Sequence, residues 1–333
     1  MAAARFDGDA ALLSARNLRT APLVDFTLTR MGDTPGISTD VKKEIWLESE
    51  RWRRWSSHLV RGGEEVIGAI RTRGFRVIPI KGFDFARRLY PNAGLRPMMD
   101  IDLLLPDEDL APACVALKED LGFAEEEGTR SLLHARHYRK RVLALRTEGG
   151  NLCVDMHSVF YHPWLYPIDY AAIWDRSGAQ DPVLSPEDSL LHSCLILAKD
   201  RYQTDLRDLV DIHEILMQWK PDWPIVLERA REWGCSVALF FSLSAAKGIL
   251  ESPVPDWVLE KCRPGRVRRS WLEVFLSAER VPPYRYNHGD VLAKAFLRLP
   301  LADSIRGGLR FLVEHAVFRW GAPRGGRKAA PDG

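Results

Sequence analysis

Asp100 and Asp102, one residue apart in Met98-Met99-Asp100-Ile101-Asp102-Leu103-Leu104-Leu105, are the residues best placed by type and spacing to do chemistry. Alternate side chains of an extended strand share a face. The spacing therefore sets the two carboxylates side by side and turns Ile101, Leu103 and Leu105 towards a core. Adjacent carboxylates repel, so the pair calls for a compensating cation, and hard oxygen ligands suit Mg²⁺. Upstream, Ile80-Lys81-Gly82 turns a β-rich run into a helix. Glycine lets a ligand approach the backbone closely. The free N–H groups and dipole of a helix start favour an anion such as a triphosphate. Asp155, on a later strand, completes a candidate three-carboxylate cluster. Asp100, Asp102 and Asp155 are thus the candidate metal ligands, for one or two ions that would orient an attacking hydroxyl and stabilise a leaving pyrophosphate. Lys81, Gly82 and Arg96 are the candidate triphosphate contacts, the two cations neutralising developing charge.

The elements that must position these groups follow from periodicity and punctuation. Residues 1–39 read as irregular. A helical pattern from Thr39 places Ile45, Trp52, Trp55 and Leu59 on one face, and Gly62-Gly63 reads as its break. A second helix is expected over Glu64–Arg73, then a strand over Phe75–Ile80, a helix over Phe83–Tyr90 and the carboxylate strand over Met98–Leu105. Asp107–Leu121 reads as a helix with acids in its first turn, closed by Gly122. Tyr138–Arg146 and Leu152–Val159 flank Thr147-Glu148-Gly149-Gly150-Asn151, a hairpin signal. On its second strand Cys153, Asp155 and His157 share one face, and Leu152, Val154 and Met156 the other.

After Pro182 only helices are expected. Ser185-Pro186-Glu187-Asp188 is a capping-box variant with proline at the first helical position. The spans are about 186–199, 205–219, 224–233, 236–250, 257–261, 270–278 and 301–318, followed by a Gly/Pro/Arg-rich tail expected to be disordered. The predicted class is α+β: an irregular start with an N-terminal helix (1–63), a small mixed-sheet core (64–180), a helical domain (181–320) and the tail.

Each functional reading has a plainer counterpart. Asp155 could be a carboxylate paired with Arg139 or Arg141 across the hairpin; His157, a group orienting a carboxylate or a structural histidine; Arg96, a surface-loop residue. Asp84, Arg87 and Arg88 read as a solvated helix face. Asp205, Arg207, Asp208 and Asp211 read as helix-start acids with local ion pairs, a minority reading giving one of them a nucleotide or acceptor contact. Arg51-Trp52-Arg53-Arg54-Trp55 interleaves basic and aromatic residues as single-strand binders do, but reads better as a core helix with a basic outer face.

Composition bounds the rest. The chain has 333 residues, 46% hydrophobic, with eleven Trp and thirteen Phe, which argues for a packed globular protein. A net charge of +2 gives no reason to expect bulk nucleic-acid binding. The five cysteines are dispersed with no CxxC, which points to reduced thiols and a cytoplasmic setting. The start MAAARFDGD lacks an apolar signal core, and the apolar stretch Val237–Leu250 is short and carries Lys247, so no membrane association is expected. There is no GxxxxGK[ST], GxSxG or GxGxxG opening a helix, and His213-Glu214 fails as HExxH because position 217 is Met.

The segment KGFDFARRLYPNAGLRPMMDIDLLLPDED, followed by VDMH, resembles the uncharacterised bacterial nucleotidyltransferase family of the polymerase-β-like superfamily. The likeness covers residues 64–165 well and extends loosely over LLHSCLILAKD and LRDLVDI. The resemblance implies a glycine turn at Gly82, metal ligands at Asp100 and Asp102, and a third acid at Asp155. It implies Mg²⁺-dependent transfer of a nucleotidyl group from an NTP, most simply ATP, to an acceptor that the residues do not identify: a peptide, a small molecule, a protein or tRNA. One departure stands out: the superfamily's Gly-Ser turn is Gly82-Phe83 here, so no serine hydroxyl meets the phosphates. That departure motivates two alternatives, a non-catalytic accessory protein with the same fold, or phosphoryl transfer from ATP at the same site.

Overall fold

The computed structural model describes residues 8–32, 34, 36–125, 139–161, 165–199 and 206–270, with positions 303, 304, 306 and 309. Five strands form one mixed sheet: β1 (Ile78–Ile80), β2 (Ile101–Leu104), β3 (Ala124–Glu125), β4 (Lys140–Thr147) and β5 (Gly150–His157), in the spatial order β1-β2-β5-β4-β3. β2 is antiparallel to β1 and parallel to β5, while β4 and β5 form the antiparallel hairpin. A parallel pair needs a long crossover. Here it contains helix α5 (Asp107–Leu121), which ends at Gly122 with φ +73°, as a left-handed C-terminal glycine should.

The sheet's two faces differ as the alternation requires. Ile101, Leu103, Leu105, Leu152, Val154 and Met156 are buried against Leu59, Val66 and Ile70 of helix α3 and Leu110 and Leu117 of α5. The other face of β2 and β5 carries the polar groups Asp102, Asp155 and His157. β2 itself is shorter than its apolar run suggested, so Asp100 lies one residue before it.

Helix α3 (Thr39–Thr72) corrects the expectation of a break at Gly62-Gly63. It runs through both glycines, capped at its start by the Ser38 hydroxyl accepting from the Val41 N–H at 3.2 Å. The glycines serve close packing: a Cβ on Gly62 would lie 2.5 Å from Leu152, and one on Gly63 would lie 2.3 Å from the Phe83 ring. The start is not irregular either. Helices α1 (Gly8–Asn17) and α2 (Ala21–Met31) lie against α3, joined by Arg16–Glu44 at 2.8 Å and by an Arg53–Asp25 ion pair.

Helix α4 (Lys81–Arg88) follows β1 directly. Its Asp84 is buried, correcting the solvated-face reading, and accepts from Arg88 at 2.7 and 2.8 Å. The remaining described helices are α6 (Tyr170–Arg176), α7 (Pro186–Lys199), α8 (Leu206–Glu214) with a π-helical turn at Ile215–Trp219, α9 (Trp223–Glu232), α10 (Ser236–Leu250) and α11 (Asp256–Cys262). As the capping box predicts, Asp188 N–H donates to Ser185 Oγ at 3.2 Å. Asp188 is buried between Arg176 (2.7 Å) and Arg229 (3.0 Å), tying α6, α7 and α9 together. A second core joins Leu190, Leu191, Ile212 and Leu239 of these helices to Ile78, Ile80 and Leu104 of the sheet. The expected helices at 270–278 and 301–318 and the tail lie outside the described residues, apart from isolated positions. Among the described residues no helix is long and apolar enough to cross a membrane. The architecture is α+β.

Candidate active site

The parallel pairing of β2 with β5 sets Asp102 opposite Asp155 and Leu104 opposite His157. Parallel register matches side chains of like orientation, so Asp102, Asp155 and His157 converge on one face. Their ligand atoms all lie within 4.8 Å of one another, and all three residues are buried. His157 Nε2 sits 2.9 Å from Asp102 Oδ1. The chain thus brings together two of the three predicted carboxylates and adds a histidine that sequence reasoning had placed only alongside them. Asp100 stands apart from that group, half-buried at the lip of the strand.

Two lysines complete the site. Ile80 pairs with Asp102 across the antiparallel β1–β2 ladder, so Lys81 emerges beside the carboxylates. It holds a left-handed backbone (φ +57°), and its ammonium donates to Asp102 Oδ1 with His157 Nε2 3.4 Å away. Lys140, on β4, donates to Asp155 Oδ2. This pairing replaces the arginine partners considered for Asp155. Arg139 instead meets Asp107 at 3.3 Å and Arg141 meets Glu125 at 2.7 Å. No motif flagged Lys140; only the hairpin register brings it here.

The buried charges act on one another at close range. Burial, then the negative charges of Asp102 and Asp155, push the Asp100 carboxyl up to about 7. Burial would raise Asp102 too, but Lys81 and His157 hold it well below the usual carboxylate range. Burial and the Lys81 charge bring His157 down to about 4, so the ring is neutral near pH 7. Lys81 keeps its charge because Asp102 and Asp100 outweigh its desolvation.

Gly82 has an ordinary φ, and its missing side chain leaves room for Arg96: a Cβ there would lie 3.1 Å from the guanidinium. Arg96 is buried, not on a surface loop. Its Nε donates to Asp211 at 2.7 and 2.9 Å and another guanidinium nitrogen reaches Asp211 at 2.5 Å and Asp208 at 3.3 Å. Tyr90 donates to Asp211 at 2.8 Å. The expected local pair of Arg207 with Asp208 forms at 3.3 Å, and Asp208 and Asp211 also pair across the molecule with Arg96; Asp205 lies outside the described residues. Arg207 Nη1 and Arg96 Nη1 both donate to the Pro97 carbonyl, at 3.0 and 2.6 Å. This network grips the Arg96–Pro97 backbone three residues before Asp100.

His192, on α7, carries no motif that would single it out in the sequence. It is buried, stacks on Phe160 at 4.1 Å between ring centroids, and its Nε2 has no hydrogen-bond partner among the described residues.

The donor set fits a divalent cation. Two carboxylates converge on one spot, each with an ammonium partner, and the neutral His157 ring is close by. Asp102 and Asp155, with Asp100 alongside, are the groups that would hold it.

A sequence model of the uncharacterised nucleotidyltransferase family matches residues 4–251. Neither the curated proteins nor the solved structures gave a match.

Proposed function

The chain belongs to the uncharacterised nucleotidyltransferase family, and from that premise we propose that it is a Mg²⁺-dependent enzyme moving a nucleotidyl group from an NTP, most simply ATP, to an acceptor hydroxyl or phosphate. The observation that carries the reading is the convergence of Asp102 and Asp155 from parallel strands, with Asp102 paired to Ile80, the residue before helix α4. Bound there, the ion would polarise phosphate oxygens and lower the pKa of an attacking hydroxyl. The chain's own groups do the rest. Asp100, Asp102 and Asp155 bind the cation, and Asp155 is also the candidate to take the acceptor proton. Lys81, aimed at the same spot, meets the triphosphate at the Gly82 turn. Arg96, committed to Asp211, holds that turn and the approach to Asp100 in place.

Label transfer tests the proposal. Supply of ATP labelled at the α-phosphate should label a product while pyrophosphate is released. Transfer only from the γ-phosphate would replace the reading with phosphoryl transfer. Phe83 favours a second reading, a non-turnover binding protein, because the position after Gly82 is wholly buried against Gly63 and offers nothing to phosphates. Tight Mg²⁺-dependent ATP binding with no labelled product from any acceptor class would favour it.

A further inference from the structure

The two lysines lie on the carboxylates that would hold a divalent cation. Lys81 Nζ lies on Asp102 and within 3.4 Å of His157, and Lys140 lies on Asp155, so each facing carboxylate already has a counter-ion. Asp100 has no hydrogen bond or ion pair among the described residues. Lys81 reaches its position from a left-handed backbone, a conformation that side chains other than glycine hold only when their surroundings fix it. Its side chain is 21% exposed, so it borders solvent while its partner Asp102 does not. An ammonium is a compact point charge on a flexible four-carbon stem and can swing between two anions.

We propose that Lys81 makes metal binding conditional on nucleotide: without nucleotide its ammonium neutralises Asp102 and excludes a divalent ion, and a triphosphate arriving at the Gly82 turn accepts Lys81 and frees Asp102 for the metal. The inference rests on the function proposed above and concerns how that same site is loaded. It gives binding an order, the ion entering only together with the nucleotide and not alone, and keeps the buried acids balanced in both states. Lys140 contacts Asp155 through Oδ2 alone, which leaves Oδ1 for the ion, so the exchange centres on Asp102.

The test titrates Mn²⁺ alone, by calorimetry, into the wild type, Lys81→Met and Lys81→Arg, each checked for fold by circular dichroism. Lys81→Met should bind Mn²⁺ at least about tenfold more tightly than the wild type. Lys81→Arg, which keeps the charge, should stay as weak as the wild type. The gain should vanish in Lys81→Met/Asp102→Asn. Should Lys81→Met fail to fold, Lys81→Gln carries the same expectation. Equal Mn²⁺ affinity in wild type and Lys81→Met, equal tightening in Lys81→Arg, or a gain that survives Asp102→Asn would overturn the inference. Its failure is distinct from that of the function: if ATP binding still needs Mg²⁺ and the aspartates, only the loading order falls.

Discussion

Asp102 and Asp155 face each other across the parallel β2–β5 ladder although, among the described residues, a helix and two further strands separate their strands in sequence. Each is paired with its own lysine. If they jointly hold a cation, Asp102→Asn and Asp155→Asn should each lower turnover at least about a hundredfold with far-ultraviolet circular dichroism unchanged. Activity within tenfold of the wild type in either variant would remove that residue from the site.

The Asp100 carboxyl gives a pH prediction. Its folded value, about 7, lies above the ordinary 3.8, so the folded chain holds that proton more tightly than the unfolded chain. Ionisation in the folded state is therefore disfavoured, and stability is lost as pH rises from about 4 to about 7. Asp100→Asn cannot ionise. Its thermal midpoint should match the wild type near pH 4 and exceed it above pH 7, a difference that cancels the His157 titration common to both. A variant less stable than wild type at pH 8 would contradict the charge crowding argued here.

Arg96 and Asp211 are both buried and bonded through three short contacts. Removing one partner strands a buried charge, which typically costs about 3–5 kcal/mol. Arg96→Met and Asp211→Asn should each show that loss in urea unfolding, and the double variant should lose clearly less than the sum. Strict additivity would mean that the two do not act as a pair.

Two glycines of α3 should respond in opposite directions to the same change. Gly63→Ala puts a methyl group into the Phe83 ring and should destabilise by about 1–3 kcal/mol. Gly68 is exposed with nothing near its missing Cβ, so Gly68→Ala should stabilise by about 0.5–1 kcal/mol through helix propensity. Denaturant midpoints decide both, and similar shifts would refute the packing role of Gly63.

What could be read from the sequence was local. The Asp107–Leu121 helix with its closing glycine, the Ser185 cap, and the face shared by Asp155 and His157 all follow from periods and punctuation within one element. What could not be read depends on partners distant in sequence. Gly62 and Gly63 are helix breakers by propensity, and only Leu152 and Phe83, which need the space, explain an unbroken α3. Arg96 finds Asp211 across 115 positions, and Lys140 reaches Asp155 only once the hairpin register is set. Helices α1 and α2 escaped because their stability comes from resting on α3 rather than from a marked pattern of their own.

The central claim is that the three aspartates make nucleotide binding depend on a divalent cation. Calorimetric titration of ATP, with and without Mg²⁺, into the wild type and into Asp100→Asn/Asp102→Asn tests it most directly. The account predicts binding that needs Mg²⁺ in the wild type and is lost in the folded double variant. ATP binding that ignores Mg²⁺, or that the double variant keeps at full strength, would contradict it.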